Sequence, residues 1–537
     1  MTVESSPRSV AQGGSKLQRR IGKLELCFIA ISSVIGSGWL FSALYAAQYA
    51  GPAAIVAWIA GGIVVMLLAL IYAELGTLFP EAGGLARYPM YSHGRLVSFY
   101  GSFTAWLAYV ATAPIEVMAV VEYMAEFLPW VERTQDGNVV LTAAGVALSL
   151  VMLFGFCVIN LFGVRWLVRA NSVIVVWKLI VPVVAALALM STRFEVSNFT
   201  NAGNGGFAPF GLAGIATALS AGGVMFAFLG FRAALEMAGE VDDPQRSIPF
   251  ALLSGLTVCI VIYLLLQVAF IGALAPSDLA QGWGSISFNV STGPFAALAM
   301  ALGMTWLATL LYSDAIISPS GTALVFSGAT ARITYAMAKS GYAPGFLLTL
   351  NRHGVPAMAL LVNFVVGALI FLPFPGWQKL VGFISAAAVL SFALGPVSLV
   401  ALRRQLPDRP RGYRLPWSKL LAPLGFVFAN LIFYWTGWDT IGVLLLGVLG
   451  GFVLVFTMYG FSGAEERARW DLRSGLWLAP YLIAMALVSY AGNFGNGRGW
   501  LPAGWDTAVV TIMSVPFFWL ALRGRKAVVE VVEEAEN

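Results

Sequence analysis

The sequence predicts an all-α polytopic membrane protein of about fourteen transmembrane helices, built as a 5+5 inverted repeat with broken helices 1 and 6. Three observations predict this. The chain of 537 residues is 59% hydrophobic and only 11% charged, whereas a soluble domain carries roughly 25% charged residues. Its apolar residues come in blocks of about 20, the length that crosses a bilayer as a helix. Glycines also cluster at membrane depth in two blocks that lie five spans apart, the placement expected of paired broken helices in two inverted five-helix repeats.

Taken in order, the spans are predicted near 24–47, 53–77, 99–127, 141–163, 168–190, 212–232, 249–274, 294–338, 357–374, 378–402, 420–437, 440–460, 476–493 and 506–522. The eighth is too long for a simple crossing; it is tilted, extends past the lipid, or breaks near Ser318-Pro319-Ser320-Gly321. This divides the chain into a polar tail (1–23), a ten-helix core (24–402), helices 11 and 12 (403–460), two additional helices (461–522) and a second tail (523–537). No removable signal peptide is predicted before the first span. The acidic ending "VVEVVEEAEN" reads as a solvated tail. With the N-terminus inside, roughly 26 of the 31 lysines and arginines fall on the inner side, which fits the positive-inside rule and makes both termini cytoplasmic. The stretch 79–97 reads as a loop along the inner membrane surface, and 239–249 as a charged inner turn.

Several function classes are excluded. The formal charge of +5 comes from basic residues in short loops, as membrane topology requires, so no nucleic-acid partner is implied. Cys27, Cys157 and Cys259 show no CxxC spacing, and His93 and His353 fall in predicted loops with no ligand cluster, so neither a metal nor a cofactor is expected. A phosphate-binding loop and a G-x-S-x-G nucleophile elbow are both missing, so the chain does not read as an enzyme. The lipid bilayer is the implied partner, with no obligate protein partner.

The breaks carry the chemistry. "SVIGSGWLF", 33–41, places Gly36, Ser37 and Gly38 inside an apolar run, and "SAGGVMFAFLGF", 220–231, does the same with Gly222, Gly223 and Gly230. Each glycine costs a helix about 1 kcal/mol relative to alanine, and freed backbone groups in lipid must find partners. Close helix packing is one reason for such glycines. A site for a small zwitterion is the other, because freed N–H groups bind a carboxylate and freed carbonyls bind an ammonium.

Three stretches make a family resemblance. "VIGSGWLF" followed by Gly51-Pro52, "AELGTLFPEAGGLARYPMYSHG" and "FAFLGFRAALEMAGEVDDPQRSIP" resemble the amino acid–polyamine–organocation (APC) superfamily of permeases over about residues 20–460. "RYPMYSHGRLV", "GGVMFAFLG" and "LPFPGW" are most similar to its bacterial L-aspartate/proton symporter branch. The resemblance implies a LeuT-like fold with alternating access. It implies substrate contacts at Ile35, Gly36, Ser37 and Gly38, an aromatic gate at Phe226, and an unwound segment flanked by Ala227 and Gly230. It also implies a monomer, and it leaves the last two helices unexplained.

Charges at membrane depth are functional candidates. Lys178 matches the place where proton-coupled relatives carry a span-5 lysine; it either exchanges a proton or pins spans 1, 5 and 8 permanently. Glu116, just after Pro114, carries a proton, pairs with a cation, or bonds backbone freed by the proline. Asp314 pairs with Lys178, shapes a cation site, or bonds a neighbouring helix. Arg232, where many superfamily members carry an acid, either binds a substrate side-chain carboxylate or gates the site, or snorkels to the cytoplasm. Glu240, Asp242, Asp243 and Arg246 read as structural or gating charges, and Gln267 and Asn363 as interhelical hydrogen-bonders. The predicted function is a secondary active transporter of the bacterial inner membrane that imports an amino acid, L-aspartate or L-glutamate, with protons as the coupling ion. An exchanger or a permease for neutral amino acids, amines or polyamines stands as the alternative, and a non-transporting sensor behind it.

Overall fold

The computed structural model describes residues 19–81, 83–135, 138–200, 205–286, 293–371, 377–461, 463 and 470–527. The two predicted tails therefore lie largely outside the described residues, and so does most of "LPFPGW". The chain is a helical bundle, and each predicted span has a helical counterpart. Among the described residues ten helices are long and apolar enough to cross a membrane, or eleven when one bent pair is taken as a single span. One of the ten, Gly38–Leu78, is 41 residues long. Gly51, at φ +61°, and Pro52 divide it, so we treat it as the end of span 1 followed by span 2.

The first span is α1 (Lys23–Val34) and α2 (Gly38–Ala50), separated by the extended Ile35 at φ −82°, ψ 91°. Next come α3 (Ala54–Leu78), α4 (Gly84–His93), α5 (Arg95–Met124), α6 (Ala143–Leu161) and α7 (Val164–Thr192). The sixth span is α8 (Gly211–Ser220), α9 (Val224–Phe228) and α10 (Arg232–Glu236), bent by 43° at the break before Val224. Gly223 makes that break, at φ +87°, a conformation that costs glycine little and other residues more. Then follow α11 (Pro244–Ala273), α12 (Pro294–Ala301), α13 (Thr305–Lys339), α14 (Ala357–Ile370), α15 (Trp377–Phe392), α16 (Leu394–Gln405), α17 (Ser418–Trp435) and α18 (Trp438–Phe461). Two further helices, Leu478–Ala491 and Trp505–Arg523, close the chain. A two-stranded hairpin, β1 (Glu132–Gln135) and β2 (Asn138–Leu141), links α5 to α6.

Three expectations change. The long eighth span is broken at Gly303, φ +73°, between α12 and α13, and α13 runs helical through Pro319. Helix packing on several sides lets a membrane helix carry an internal proline. The stretch 79–97 is not a surface loop: α4 is a helix whose Leu85, Tyr88, Tyr91, Ser92 and His93 are buried against α5 and α16. His93 accordingly lies in no loop; its ring bonds the Ser92 hydroxyl at 2.8 Å and the Ala521 carbonyl at 3.1 Å, tying the last helix to the bundle.

Both described ends of the chain lie at one end of the bundle. Ile21 pairs with Val241, Gly83 N–H donates to the Glu236 carbonyl, and Lys526 N–H donates to the Ser92 carbonyl beside α4. This end carries buried ion pairs. Arg332 binds Glu240, so that charge answers a helix rather than the basic loops. Glu74, fully buried in α3, accepts from Arg403 at 2.5 and 2.8 Å and from the Leu415 N–H at 2.7 Å, and Arg411 stands 3.1 Å away. The basic loop 403–414 is thus folded onto one carboxylate. Removing one partner of a buried pair costs about 3–5 kcal/mol. Glu74→Gln is expected to lower the melting temperature of the detergent-solubilised protein by several degrees, and an unchanged melting curve would show the pair to be dispensable.

Candidate functional site

The site forms where α1 and α2 part. Ending α1 early frees backbone groups, and specific side chains take them up. Lys178 Nζ, from α7, donates to the Ser32 and Ile35 carbonyls at 2.6 Å each and to Thr322 Oγ1 at 2.8 Å. The Thr322 hydroxyl, from α13, donates in turn to the Ser32 carbonyl at 2.9 Å. Tyr263, from α11, donates to the Val34 carbonyl at 2.7 Å. Past the break Ser37 N–H donates to Glu116 Oε2 at 2.6 Å. Lys178 and Glu116 therefore clamp one break, the first on its carbonyls and the second on an N–H, and form no ion pair with each other among the described residues.

Glycine is required there by space. A Cβ on Gly36 would meet both Glu116 carboxylate oxygens, at 2.7 and 2.8 Å, and Thr322 Oγ1 at 2.8 Å. One on Gly38 would meet Ala227 at 2.9 Å, and one on Gly230 would fall on the Ser33 carbonyl and the Val34 nitrogen. Close packing and freed backbone, weighed as alternatives from sequence, are one arrangement here: the glycines let α1, α5, α9 and α13 approach, and the polar side chains that this brings in satisfy the break.

A small cavity lies beside it, walled by Gly38, Glu116, Phe226, Ala227, Gly230 and Arg232 among others. Its water-accessible volume is about 10 Å³, room for about one water, so an amino acid enters only if the walls part. Phe226 meets Trp377 edge-on at 5.6 Å, and Trp377 packs on Phe41 at 4.8 Å and Tyr45 at 5.9 Å. The Trp377 indole also donates to Ser37 Oγ at 2.8 Å, which ties this aromatic cluster to the break.

Of the residues singled out from sequence, Ile35, Gly36 and Ser37 lie on the clamp, and Gly38, Glu116, Phe226, Ala227, Gly230 and Arg232 line the cavity. Asp314 belongs to neither. It accepts from Ser318 Oγ at 2.6 Å, faces the Trp39 and Trp177 indoles, and forms no ion pair with Lys178 among the described residues. Gln267 accepts from Trp58 at 2.7 Å and Asn363 from Trp106 at 2.9 Å, both between helices. Sequence reading missed Thr322, Tyr263 and Trp377. Thr322 left a weak signal, a hydroxyl four residues after Ser318 and so on the same face of α13, and Trp377 ends the motif "LPFPGW".

Arg232 corrects an expectation. It does not snorkel: it is 0% exposed. Its guanidinium lies 4.1 Å from the Tyr109 ring centre, with Phe326 and Phe392 also nearby, and none of its three nitrogens has a hydrogen-bond partner among the described residues. A desolvated cation–π contact supplies about 2 kcal/mol, less than the several kcal/mol that burying an unpaired charge costs. A buried guanidinium in a cavity wall calls for an anion.

The amino acid permease family matches residues 21–446. The chain belongs to that family. The permease is 40% identical over 521 residues to the glutamate/serine transporter AimA of Bacillus subtilis (strain 168), covering 95% of this chain and 94% of the relative. It is 38% identical to the aspartate-proton symporter of the same organism, covering 94% and 96%, and 24% identical to the branched-chain amino acid permease BcaP, covering 83% and 94%. The permease is thus a multi-pass membrane protein that transports amino acids and is not an enzyme.

Proposed function

We propose that the permease imports an acidic amino acid, aspartate or glutamate, together with protons across the bacterial inner membrane, with both termini in the cytoplasm. One observation carries the reading: the fully buried Arg232 in the cavity wall, whose nitrogens have no hydrogen-bond partner among the described residues, which suits a side-chain carboxylate. The names of the two relatives at 40% and 38% identity support the same substrate class.

In this reading the backbone around Ile35–Gly38 and Gly230 receives the α-carboxylate and α-ammonium, with Ser37 N–H exchanging Glu116 for the substrate. Phe226 and Trp377 part to admit it. The two bundles then rock, and the site opens at the chain ends. Lys178 carries the proton, with Glu116 and Asp314 as further candidates. Coupling requires that the protonated and deprotonated forms favour the two states differently.

The test is uptake of labelled L-aspartate into proteoliposomes under a pH gradient, a sodium gradient or none. Accumulation is expected with the pH gradient alone; accumulation driven by sodium would overturn proton coupling. A charge-assisted carboxylate contact contributes about 1.5–3 kcal/mol, or about 10–100-fold. Arg232→Gln is therefore expected to reduce the preference for aspartate over asparagine by that factor, measured by competition. An unchanged preference would remove the acidic-substrate reading. The alternative, a permease for neutral amino acids, is favoured if asparagine or serine competes better than aspartate in the unmodified protein.

A further inference from the structure

Arg232 and Glu236 stand one helical turn apart on α10, and both are wholly buried. Among the described residues Arg232 lacks a hydrogen-bond partner on every nitrogen and Glu236 lacks one on Oε2. Glu236 Oε1 receives a 3.5 Å bond from the Tyr109 hydroxyl, the Leu85 N–H also points at the carboxylate, and no ion pair joins Arg232 and Glu236 among the described residues.

The groups that face Glu236 are Arg232 from its own helix, Tyr72 of α3, Tyr88 of α4 and Tyr109 of α5. The other charges on the elements around α10, among them Asp314 of α13, which accepts from Ser318, have contacts of their own or are exposed. Arg332 of α13 holds Glu240, and Arg87 of α4 holds Glu81. Lys23 of α1 lies over the Phe250 ring, Glu25 of α1 caps the Gly22 N–H, and Arg246 of α11 is exposed. One cation and one carboxylate are thus buried one helical turn apart, and residues four apart on a helix are within reach of each other.

We infer that Glu236 is a proton-carrying counter-ion of Arg232 that changes places with the side-chain carboxylate of the substrate; this rests on the acidic-substrate reading proposed above. With no acidic side chain in the site, ionised Glu236 turns up to pair with Arg232. When aspartate or glutamate docks its side-chain carboxylate on Arg232, Glu236 is displaced among three tyrosines. An unpaired carboxylate is costly there, so it takes up a proton from the side that is open. When the site opens to the cytoplasm the substrate leaves as an anion. Glu236 then releases its proton inward and pairs with Arg232 again. The charge balances: each acidic substrate enters with one proton more than a neutral one. A neutral amino acid leaves the Arg232–Glu236 pair closed, which gives one pocket a physical route to both kinds of substrate.

The test uses the purified full-length protein in weak buffer with a pH indicator, after binding of aspartate has been established by calorimetry. By proton linkage, the unmodified protein is expected to take up about one proton more per aspartate bound than Glu236→Gln, whose amide stands in for the protonated acid. Glu236→Gln is also expected to keep aspartate counterflow in proteoliposomes while losing that proton from the transport ratio. Equal proton uptake by the two proteins overturns the inference. If Glu236→Gln does not fold, the unmodified protein decides. Its infrared difference spectrum on adding carbon-13-labelled aspartate is expected to gain the carbonyl stretch of an unlabelled protonated carboxyl, and absence of that band overturns the inference. Failure of aspartate and glutamate to bind at all would sink the acidic-substrate reading instead, a result that the binding step separates from the others.

Discussion

Lys178→Ala is expected to abolish aspartate accumulation under a pH gradient while counterflow of aspartate against aspartate persists. The Nζ atom is fully buried and bonds two carbonyls of the broken first span at 2.6 Å and Thr322 at 2.8 Å. Hydrogen bonds to a charged group contribute about 1.5–3 kcal/mol each. Losing the proton from Lys178 would therefore weaken the tie between α1, α7 and α13 enough to shift the balance between outward and inward states by at least about tenfold, since 1.4 kcal/mol is a factor of ten. That differential is what coupling needs. With alanine no proton can make the difference, so the gradient has nothing to act on at this position, and accumulation should fall at least about tenfold. Loss of counterflow together with accumulation would instead show that Lys178 only pins the helices. Unaltered accumulation would remove it from the mechanism.

Gly230→Ala is expected to eliminate both accumulation and counterflow. The added Cβ falls on the backbone of Ser33 and Val34, which cannot step aside as a side-chain tip would. Overpacking of this kind costs about 1–3 kcal/mol even where neighbours adjust. Here the neighbour is the break itself, so α1 and the segment between α9 and α10 must separate. Gly36→Ala should act similarly through the Glu116 carboxylate and Thr322. Gly155→Ala is the control: its Cβ meets nothing within 4 Å, and it lies inside α6. Replacing a helical glycine by alanine there should be neutral or stabilise by up to about 1 kcal/mol. Uptake and melting temperature of the three variants check this together. Normal transport by Gly230→Ala would mean that the two broken spans need not touch.

The membrane class, the helical counterparts of the spans and the two breaks were legible because each depends on local composition. A block of apolar residues has to be a helix in lipid, and a glycine cluster inside one has few causes. The inner stretch 79–97 was misread because its low charge and turn residues resemble a surface loop. Only α5 and α16 packing over it make α4 a buried helix. For the eighth span, tilt, extension past the lipid and a break near Pro319 stood as alternatives from sequence, whereas Gly303 holds the break and helix packing carries α13 through the proline.

Lys178, Glu116 and Arg232 stood out in the sequence because a charge at membrane depth is rare. What each of them touches depends on the angles between helices far apart in the chain: Lys178 meets residue 32, Glu116 meets residue 37 and Arg232 meets Tyr109. Local pattern carries no information about those angles. Arg232 shows the difference most directly. From sequence it stood at the inner end of a span, where a long cationic side chain reaches water, and the packing of α5, α13 and α15 around it removed the water. Hydrophobic periodicity and backbone chemistry, both encoded locally, determined that this chain is a broken-helix membrane protein. The choice of which buried charges are paired and which await a ligand was left to tertiary packing, because desolvation is a property of everything that surrounds a group.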